Sequence, residues 1–354
     1  MTGPQIANRR SALNAVAGSL WHAPGPFRIA RLFGRRYSLR CVLFHDIADE
    51  ESSFTKGLGI TIAPKALETA LRFLCRYYTP VRLQEVLASS ATDALPERPV
   101  LVTFDDGFAS FGNIAAPLCV RFGVPAVVFI NAACLDNRRL SLDHLICYVA
   151  NQHGLEVIRA AMRVVGSDGA EVPSLKEVFS RFLPTISLLA RKTFRDALVD
   201  LAGIREADLA AAAGLYLSGN RLRKLAQLNF EFGDHTHTHV HGRCLTEADF
   251  AEEIDGNREL LEAASETNVR SFSVPYGSSA DLTPSLWTHL QQRGYEAVFL
   301  AEGRANVSGA RSSQFDRVSI RAHEDAALFS EIEMLPRLRN LRAEWDARQG
   351  LQAH

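Results

Sequence analysis

Two adjacent carboxylates, Asp105 and Asp106, stand where a buried strand is expected to end. The apolar run Pro99 to Val102 precedes them, and Gly107 follows them and permits a sharp turn. Neighbouring side chains on a strand point to opposite faces, but a turn at the strand end can bring both into one cleft. Two anions this close resist ionising together unless a cation lies between or beside them. The pair is therefore either a polar turn or part of a site that holds a cation.

A second group of potential ligands lies at 233–241, where four histidines occupy alternate positions. Neutral imidazole is the commonest metal-binding side chain, and one carboxylate with two imidazoles leaves a metal an open position. If the segment is extended, all four histidines lie on one side. If it turns helical after Gly233, His235 and His239 share one face, while His237 and His241 share another. A solvated histidine loop that binds nothing is the competing interpretation.

Strands and helices that alternate along the chain must position these groups. About eight strand–helix units can be counted, which favours parallel pairing and an α/β fold, a distorted (β/α)7-8 barrel. The polar residues fall at the carboxyl ends of strands, where parallel barrels form their active sites. The strands are expected at 40–45, 80–83, 99–102, 124–130, 228–232, 269–274, 296–300 and 317–321. The side chains expected to converge are His45, Asp105, Asp106, His235, His239, Tyr276 and His323.

The segment 136–225 differs from the rest, because it is rich in Ala, Leu and Arg, helical in pattern and without a convincing strand. We predict a helical subdomain inserted between two barrel strands, on the face where loops carry function, with a flexible loop at 167–173. An oligomer contact is the alternative role for it. The remaining divisions are a basic N-terminal segment at 1–39, the barrel at 40–135 and 226–323, and a C-terminal helix at 324–354.

Composition limits the classes of function. The 354 residues carry a formal net charge of -1, which argues against general nucleic-acid binding. The six cysteines show no CxxC pairing and lie mostly in apolar runs, so we expect buried thiols in a reducing compartment. No stretch approaches the roughly 18 apolar residues that a membrane-spanning helix needs.

The first 45 residues contain seven arginines and no acidic residue. Residues 27–36 fit a short basic amphipathic helix, which either covers one end of the fold or makes peripheral contact with an anionic membrane surface. No good export signal is visible, so we expect a cytoplasmic protein, with the inner face of the membrane as an additional location. The sequence does not fix the oligomeric state.

Together these residues resemble the polysaccharide deacetylase family, which includes the chitooligosaccharide and NodB-like deacetylases of carbohydrate esterase family 4. Thr103 to Gly107 looks like its first motif, in which the first Asp is the general base and the second binds the metal. Gly233 to His239 resembles the second motif, His-Thr-x-x-His. Phe272 to Gly277 resembles the third, which is normally Arg-x-Pro-Tyr. The resemblance runs from about residue 40 to 323.

The resemblance implies a metal-dependent deacetylase that removes N-acetyl groups from an amino-sugar glycan or a lipid-linked precursor and releases acetate. Asp106, His235 and His239 would hold a divalent metal, with Zn²⁺ expected and Co²⁺ or Ni²⁺ as alternatives. Asp105 would be the general base, and the backbone N–H of Tyr276 would stabilise the oxyanion. His323 or His45 would be the general acid.

The chain departs from the family pattern in two places. Ser273 occupies the position of the arginine that orients the base, so another cation must do so, and Arg317 and Arg321 are the candidates. The family's final histidine motif, the usual general acid, has no clear match. Two other functions therefore remain open, namely a metal-dependent hydrolase of small cyclic amides or imides and a glycan-binding barrel that has lost catalysis.

Overall fold

The computed structural model describes residues 39–89, 95–167, 174–306 and 313–348 of the chain. The predicted basic helix at 27–36 and most of the predicted loop at 167–173 lie outside these residues. No helix among the described residues is long and apolar enough to cross a membrane. All six cysteines are free thiols, and four of them are buried.

The centre of the fold is a parallel sheet that curves into a nearly closed, distorted barrel, as the sequence predicted. The strands are β1 Arg40–Phe44, β2 Asp46–Ile47, β3 Thr61–Ile62, β4 Thr79–Pro80, β5 Pro99–Phe104, β6 Ala126–Ile130, β7 Glu231–Asp234, β8 Ser271–Ser273, β9 Ala297–Leu300, β10 Gln314–Asp316 and β11 Val318–Ser319. The barrel strands follow the order β10-β9-β8-β7-β6-β5-β1-β11, while β4 pairs with the start of β5 and β2 pairs with β3 in a separate small sheet.

One bent segment closes most of the barrel. Its first half, β10, pairs with β9, and its second half, β11, pairs with β1. Only Arg317 separates the two halves, and its backbone N–H donates to the carbonyl of Leu300 at 3.1 Å. The sequence analysis predicted a single strand at 317–321 and missed β10, because a short polar strand gives a weak periodic signal.

Alternation along the strands divides the core into two layers. Outward residues such as Val102 and Phe104 pack under the surrounding helices. Inward residues, including Leu101, Phe129 and Phe299, fill the lower part of the barrel. Residues 101, 103 and 105 share the inward face, so the polar side chains that follow Leu101 on this face lie above the apolar layer. The fold thereby places Asp105 at the carboxyl end of the barrel interior.

Helices cover the outside of the sheet, and single turns of 3₁₀ or π helix extend several of them. The helix α11 begins at Pro284 and ends at Gln292, as predicted from the sequence. The α-helices are α1 Pro64–Tyr77, α2 Leu83–Ser89, α3 Ala116–Phe122, α4 Leu142–His153, α5 Leu155–Val164, α6 Leu175–Glu177, α7 Leu188–Ala202, α8 Glu206–Ala213, α9 Gly219–Gln227, α10 Asn257–Ser265, α11 Pro284–Gln292, α12 Asp325–Phe329 and α13 Leu335–Arg348.

The chain between β6 and β7 runs through α4 to α9, and its described residues form no strand. These helices share an apolar cluster of their own, which includes Leu145, Phe194 and Leu198. The helical character expected for this stretch is therefore observed, whereas the domain boundaries at 136 and 225 stay predictions.

Each predicted strand differs from the observed one at one or both ends, and two of these differences have a visible cause. The strand expected at 80–83 ends at Pro80, because the N–H of Leu83 donates to the Glu231 carboxylate at 2.9 Å and starts α2 instead. The strand expected at 228–232 begins only at Glu231. Before it, Asn229 adopts a left-handed conformation with φ 63° and turns the chain out of α9. Side-chain capping and a single left-handed residue decided these boundaries, and hydrophobic periodicity reports neither.

Candidate active site

Asp106, His235 and His239 meet at the carboxyl end of the barrel. The Nε2 atoms of both histidines lie 3.5 Å from Oδ1 of Asp106, and the three potential ligand atoms lie within 4.8 Å of one another. Zinc bonds of about 2 Å in tetrahedral geometry place neighbouring ligand atoms about 3.3 Å apart. The donor set and its spacing therefore fit a divalent metal with an open coordination position.

The histidine segment turns rather than staying extended, which settles the register question. Thr236 and His239 both have left-handed backbones, with φ 59° and 57°. As a result His235 and His239 point to the same centre, while His241 turns away and its Nδ1 bonds to the Asp281 carboxylate at 3.1 Å. His237 is likewise absent from the ligand group found in the described residues.

Buried polar groups anchor the start of this turn. Asp234, at the end of β7, accepts hydrogen bonds from the Tyr295 hydroxyl at 2.7 Å, the Asn257 amide at 2.8 Å and the backbone N–H of Thr236 at 2.9 Å. The side-chain amide of Asn131 donates to the carbonyls of His235 and Thr236. These bonds satisfy the backbone of a turn that lies in the protein interior, and they fix where the first ligand projects.

Each candidate ligand histidine uses its second ring nitrogen to bond to an acceptor. Nδ1 of His235 donates to the carbonyl of Ser273 at 2.8 Å, and Nδ1 of His239 donates to the Asp143 carboxylate at 2.5 Å. With Nδ1 protonated in each ring, the lone pair of the neutral imidazole lies on Nε2, which faces Asp106. The tautomers set by these bonds are those that metal binding requires.

Arg317 holds the other carboxylate of the pair. Its two terminal nitrogens donate to the two oxygens of Asp105 at 2.7 and 2.9 Å. The guanidinium also donates to the Ser273 hydroxyl at 2.7 Å and to the Leu300 carbonyl at 3.0 Å. Of the two arginines proposed from the sequence to orient Asp105, Arg317 is the one in contact, whereas Arg321 is exposed.

Both adjacent carboxylates are held in the ionised form. Burial alone would raise the pKa of Asp105, but the Arg317 guanidinium and His235 hold that pKa below its ordinary value. Burial likewise opposes ionisation of Asp106, and His239 and His235 nevertheless hold its pKa below the usual range. Asp106 and Gly107 both adopt left-handed backbones, with φ 69° and 64°. The turn therefore directs the side chains of Asp105 and Asp106 to different partners.

These groups open into a cleft of about 550 Å³, a size typical of ligand pockets. His45, at the end of β1, is half-buried and lines the cleft, and its pKa is lowered by burial against the opposing effect of Asp106 and Asp105. Tyr276 also lines it, with its ring 4.7 Å from that of His239. His323 is exposed and is not among the residues that line the cleft. The structure thus brings His45, but not His323, to the predicted metal ligands.

A known protein family matches part of this chain. The family model described as polysaccharide deacetylase matches residues 207–298, about a quarter of the chain, which include the histidine segment and Tyr276. No curated protein sequence matches the chain. The resemblance to polysaccharide deacetylases is confirmed.

Solved structures share the fold of this chain at low sequence identity. The Streptococcus pyogenes deacetylase PplD, in complex with acetate, has a TM-score of 0.55 at 13% identity, covering 84% of this chain and 99% of that one. IcaB from Ammonifex degensii has a TM-score of 0.54 at 17% identity, covering 84% and 97%. A polysaccharide deacetylase from Bacillus cereus has a TM-score of 0.52 at 15% identity, covering 84% and 69%. At these identities the likeness establishes the barrel fold alone.

Several cleft residues of this barrel escaped the sequence analysis. Asp143 and His144, in the first turn of α4, line the cleft from the helical stretch between β6 and β7. Arg191, on α7, contacts the His239 carbonyl at 3.2 Å. An acid in the first turn of a helix is common for electrostatic reasons, so Asp143 gave no distinctive signal. The matching family model begins only at residue 207, after all three of these residues.

Proposed function

We propose that the protein is a metal-dependent carbohydrate deacetylase, which hydrolyses the N-acetyl group of an amino sugar in a glycan or glycan precursor and releases acetate. The observation that carries this proposal is the pairing of two ionised carboxylates with different duties. Asp106 faces two imidazole Nε2 atoms, and Asp105 is clamped by Arg317 beside them. This is the arrangement needed to hold a metal and, next to it, a general base.

The metal proposed for the site is zinc, because one carboxylate with two imidazoles suits its coordination preferences. A bound divalent metal supplies Lewis acidity, which lowers the pKa of water and polarises the acetyl carbonyl. Asp106, His235 and His239 are the residues that would hold it. Co²⁺ and Ni²⁺ are also accepted by such ligands.

The chain's own residues then divide the proton transfers. Asp105, ionised and fixed by Arg317, accepts the proton of the attacking water. The backbone N–H of Tyr276, a residue that lines the cleft, would donate to the developing oxyanion. His45 in its protonated form donates a proton to the leaving nitrogen, and the C–N bond breaks to give a free amine and acetate; because burial lowers the pKa of His45, this step is favoured as the pH falls. Of the two histidines considered for this last role, His45 is favoured because it lines the cleft.

Two substitutions test the division between metal ligand and base. We expect Asp106→Ala to lose the metal, because it removes the only carboxylate of the ligand group. We expect Asp105→Asn to keep the metal and lose turnover. Elemental analysis of the purified variants and acetate release from acetylated sugars, lipid-linked precursors and polymers measure the two properties. Full metal occupancy in Asp106→Ala, or near wild-type acetate release in Asp105→Asn, contradicts the assignment.

The same substrate panel separates this function from hydrolysis of small cyclic imides, which would appear as ring opening without acetate. Binding of a glycan to the metal-loaded protein without acetate release would instead support a barrel that has lost catalysis. The cytoplasmic location and the peripheral membrane contact through the basic N-terminal segment stay predictions.

A further inference from the structure

Asp143 reaches the candidate metal centre from outside the barrel. It is the second residue of α4, in the helical stretch between β6 and β7, and only 5% of it is exposed. One of its carboxylate oxygens accepts from Nδ1 of His239 at 2.5 Å, and the other accepts from the Tyr276 hydroxyl at 2.8 Å. Both oxygens of a buried anion are thus bonded to residues at the metal site.

This contact makes the two candidate ligand histidines chemically different. His235 is backed by a neutral backbone carbonyl, that of Ser273, whereas His239 is backed by a full negative charge. A carboxylate bonded to the far nitrogen of a metal-binding imidazole fixes the ring orientation and the tautomer, and it makes the ring a stronger electron donor. The bond to Tyr276 prevents the Asp143 carboxylate from rotating away.

A second residue of the same helical stretch holds the other side of this ligand. Arg191, on α7, is 4% exposed. It donates to the His239 carbonyl at 3.2 Å and to the Tyr276 hydroxyl at 3.3 Å. The backbone and the ring of His239 are therefore both restrained by side chains that no barrel strand supplies.

We infer that Asp143 is a positioning residue for the metal site, and that the helices between β6 and β7 are a working part of the active centre. Asp143 holds the His239 ring with Nε2 toward Asp106, and its charge strengthens the ligand. This role presupposes the metal site of the proposed function, so its test measures metal binding directly and includes the wild-type protein as the reference.

The test compares Asp143→Asn with a matched control, Asp281→Asn. Asp281 is also fully buried beside the cleft and also bonds to a histidine Nδ1, that of His241 at 3.1 Å, but His241 is not in the ligand group. Zinc affinity of the metal-free full-length proteins is measured by competition with a chromophoric chelator. We expect Asp143→Asn to bind zinc 10- to 100-fold more weakly than wild type, and Asp281→Asn to bind it as wild type does.

The outcomes are distinguishable from failure of the proposed function. If wild type binds no zinc, the metal site itself is wrong. If wild type binds zinc and Asp143→Asn binds it equally well, the role of Asp143 is overturned. A change in the visible spectrum of bound Co²⁺ in Asp143→Asn, without one in Asp281→Asn, would show that the ligand field depends on this carboxylate.

If Asp143→Asn does not fold, a measurement on the wild-type protein tests the inference instead. Histidine side chains labelled with ¹⁵N report which ring nitrogen carries the proton. We expect zinc-loaded protein to show His239 protonated at Nδ1, with this proton strongly deshielded by its bond to the Asp143 carboxylate. An unprotonated Nδ1 in zinc-loaded wild type would overturn the inference.

Discussion

Replacing Arg317 by Met tests whether this arginine controls the proposed base. Arg317 is fully buried, and its bidentate bond is the only ion pair found for Asp105 with a permanently charged residue in the described chain. Removing one partner of a buried ion pair costs about 3–5 kcal/mol, a large part of the roughly 5–15 kcal/mol that stabilises a domain. We therefore expect a protein that folds but unfolds at a clearly lower urea concentration.

The loss of Arg317 should also change the pH dependence of catalysis. Without the guanidinium, burial of Asp105 is no longer opposed by its main cation, and buried carboxylates have pKa values raised by up to about 3–5 units. In the wild type Asp105 is ionised above its lowered pKa, so its titration should not limit kcat/KM near neutral pH. In Arg317→Met we expect the acidic limb to move to near neutral pH, since the base must now lose a proton there.

The assay is the pH profile of acetate release with saturating zinc, and Arg321→Met is the matched control because Arg321 is exposed. A second variant asks whether the cation can be supplied from the family position. Ser273 Oγ lies 2.7 Å from the Arg317 guanidinium and 3.3 Å from Asp105, so Ser273→Arg combined with Arg317→Ser should recover part of the activity. An acidic limb that stays in place in Arg317→Met would refute the assigned role.

Three further outcomes are expected. Asp105→Asn should lose less unfolding free energy on acidification than wild type does. A carboxylate with a lowered folded pKa adds stability above its unfolded pKa of about 4, and this stability is lost as the pH falls through the folded pKa. Urea titrations between pH 3 and 6 measure the difference. Gly277→Ala should be destabilised by about 1–3 kcal/mol and melt at a lower temperature, since Gly277 has φ +71° and a Cβ there would lie 2.3 Å from that of Ala301. His45→Ala should lower acetate release by about 10²- to 10⁴-fold with zinc retained, and by more than His323→Ala does; equal losses would remove His45 as the general acid.

The candidate ligands could be named from the sequence because their spacing is local. Asp105 and Asp106 follow a fully apolar strand, and the carboxyl ends of parallel strands meet at one edge of the barrel. The four-residue separation of His235 and His239 limited the register to two choices, which the left-handed Thr236 and His239 resolve. Threonine does not mark a left-handed position and histidine is only enriched there, so the choice between the two registers needed coordinates.

The sequence could not assign the supporting residues to their partners, because their contacts join distant parts of the chain. Arg317 is 212 positions away from Asp105. The sequence named it only together with Arg321, as a replacement for the family arginine that is missing at Ser273. Asp143 is 96 positions from His239 and lies on a helix whose pattern shows only an ordinary first-turn acid. Hydrophobic periodicity reports which face of an element is buried, but it does not report which polar groups meet across the barrel.

Ser273 was the main reason to consider a barrel that has lost catalysis, and the geometry removes that reason. A buried base needs a cation beside it, and the barrel interior near Asp105 is filled by the guanidinium of Arg317 together with the Thr103 and Ser273 hydroxyls. A second arginine at position 273 would place another positive charge against the first in the same fully buried layer, which is costly. A small hydroxyl residue at 273 is therefore compatible with Arg317 as the partner of Asp105, because it leaves room for the guanidinium and accepts one of its hydrogen bonds.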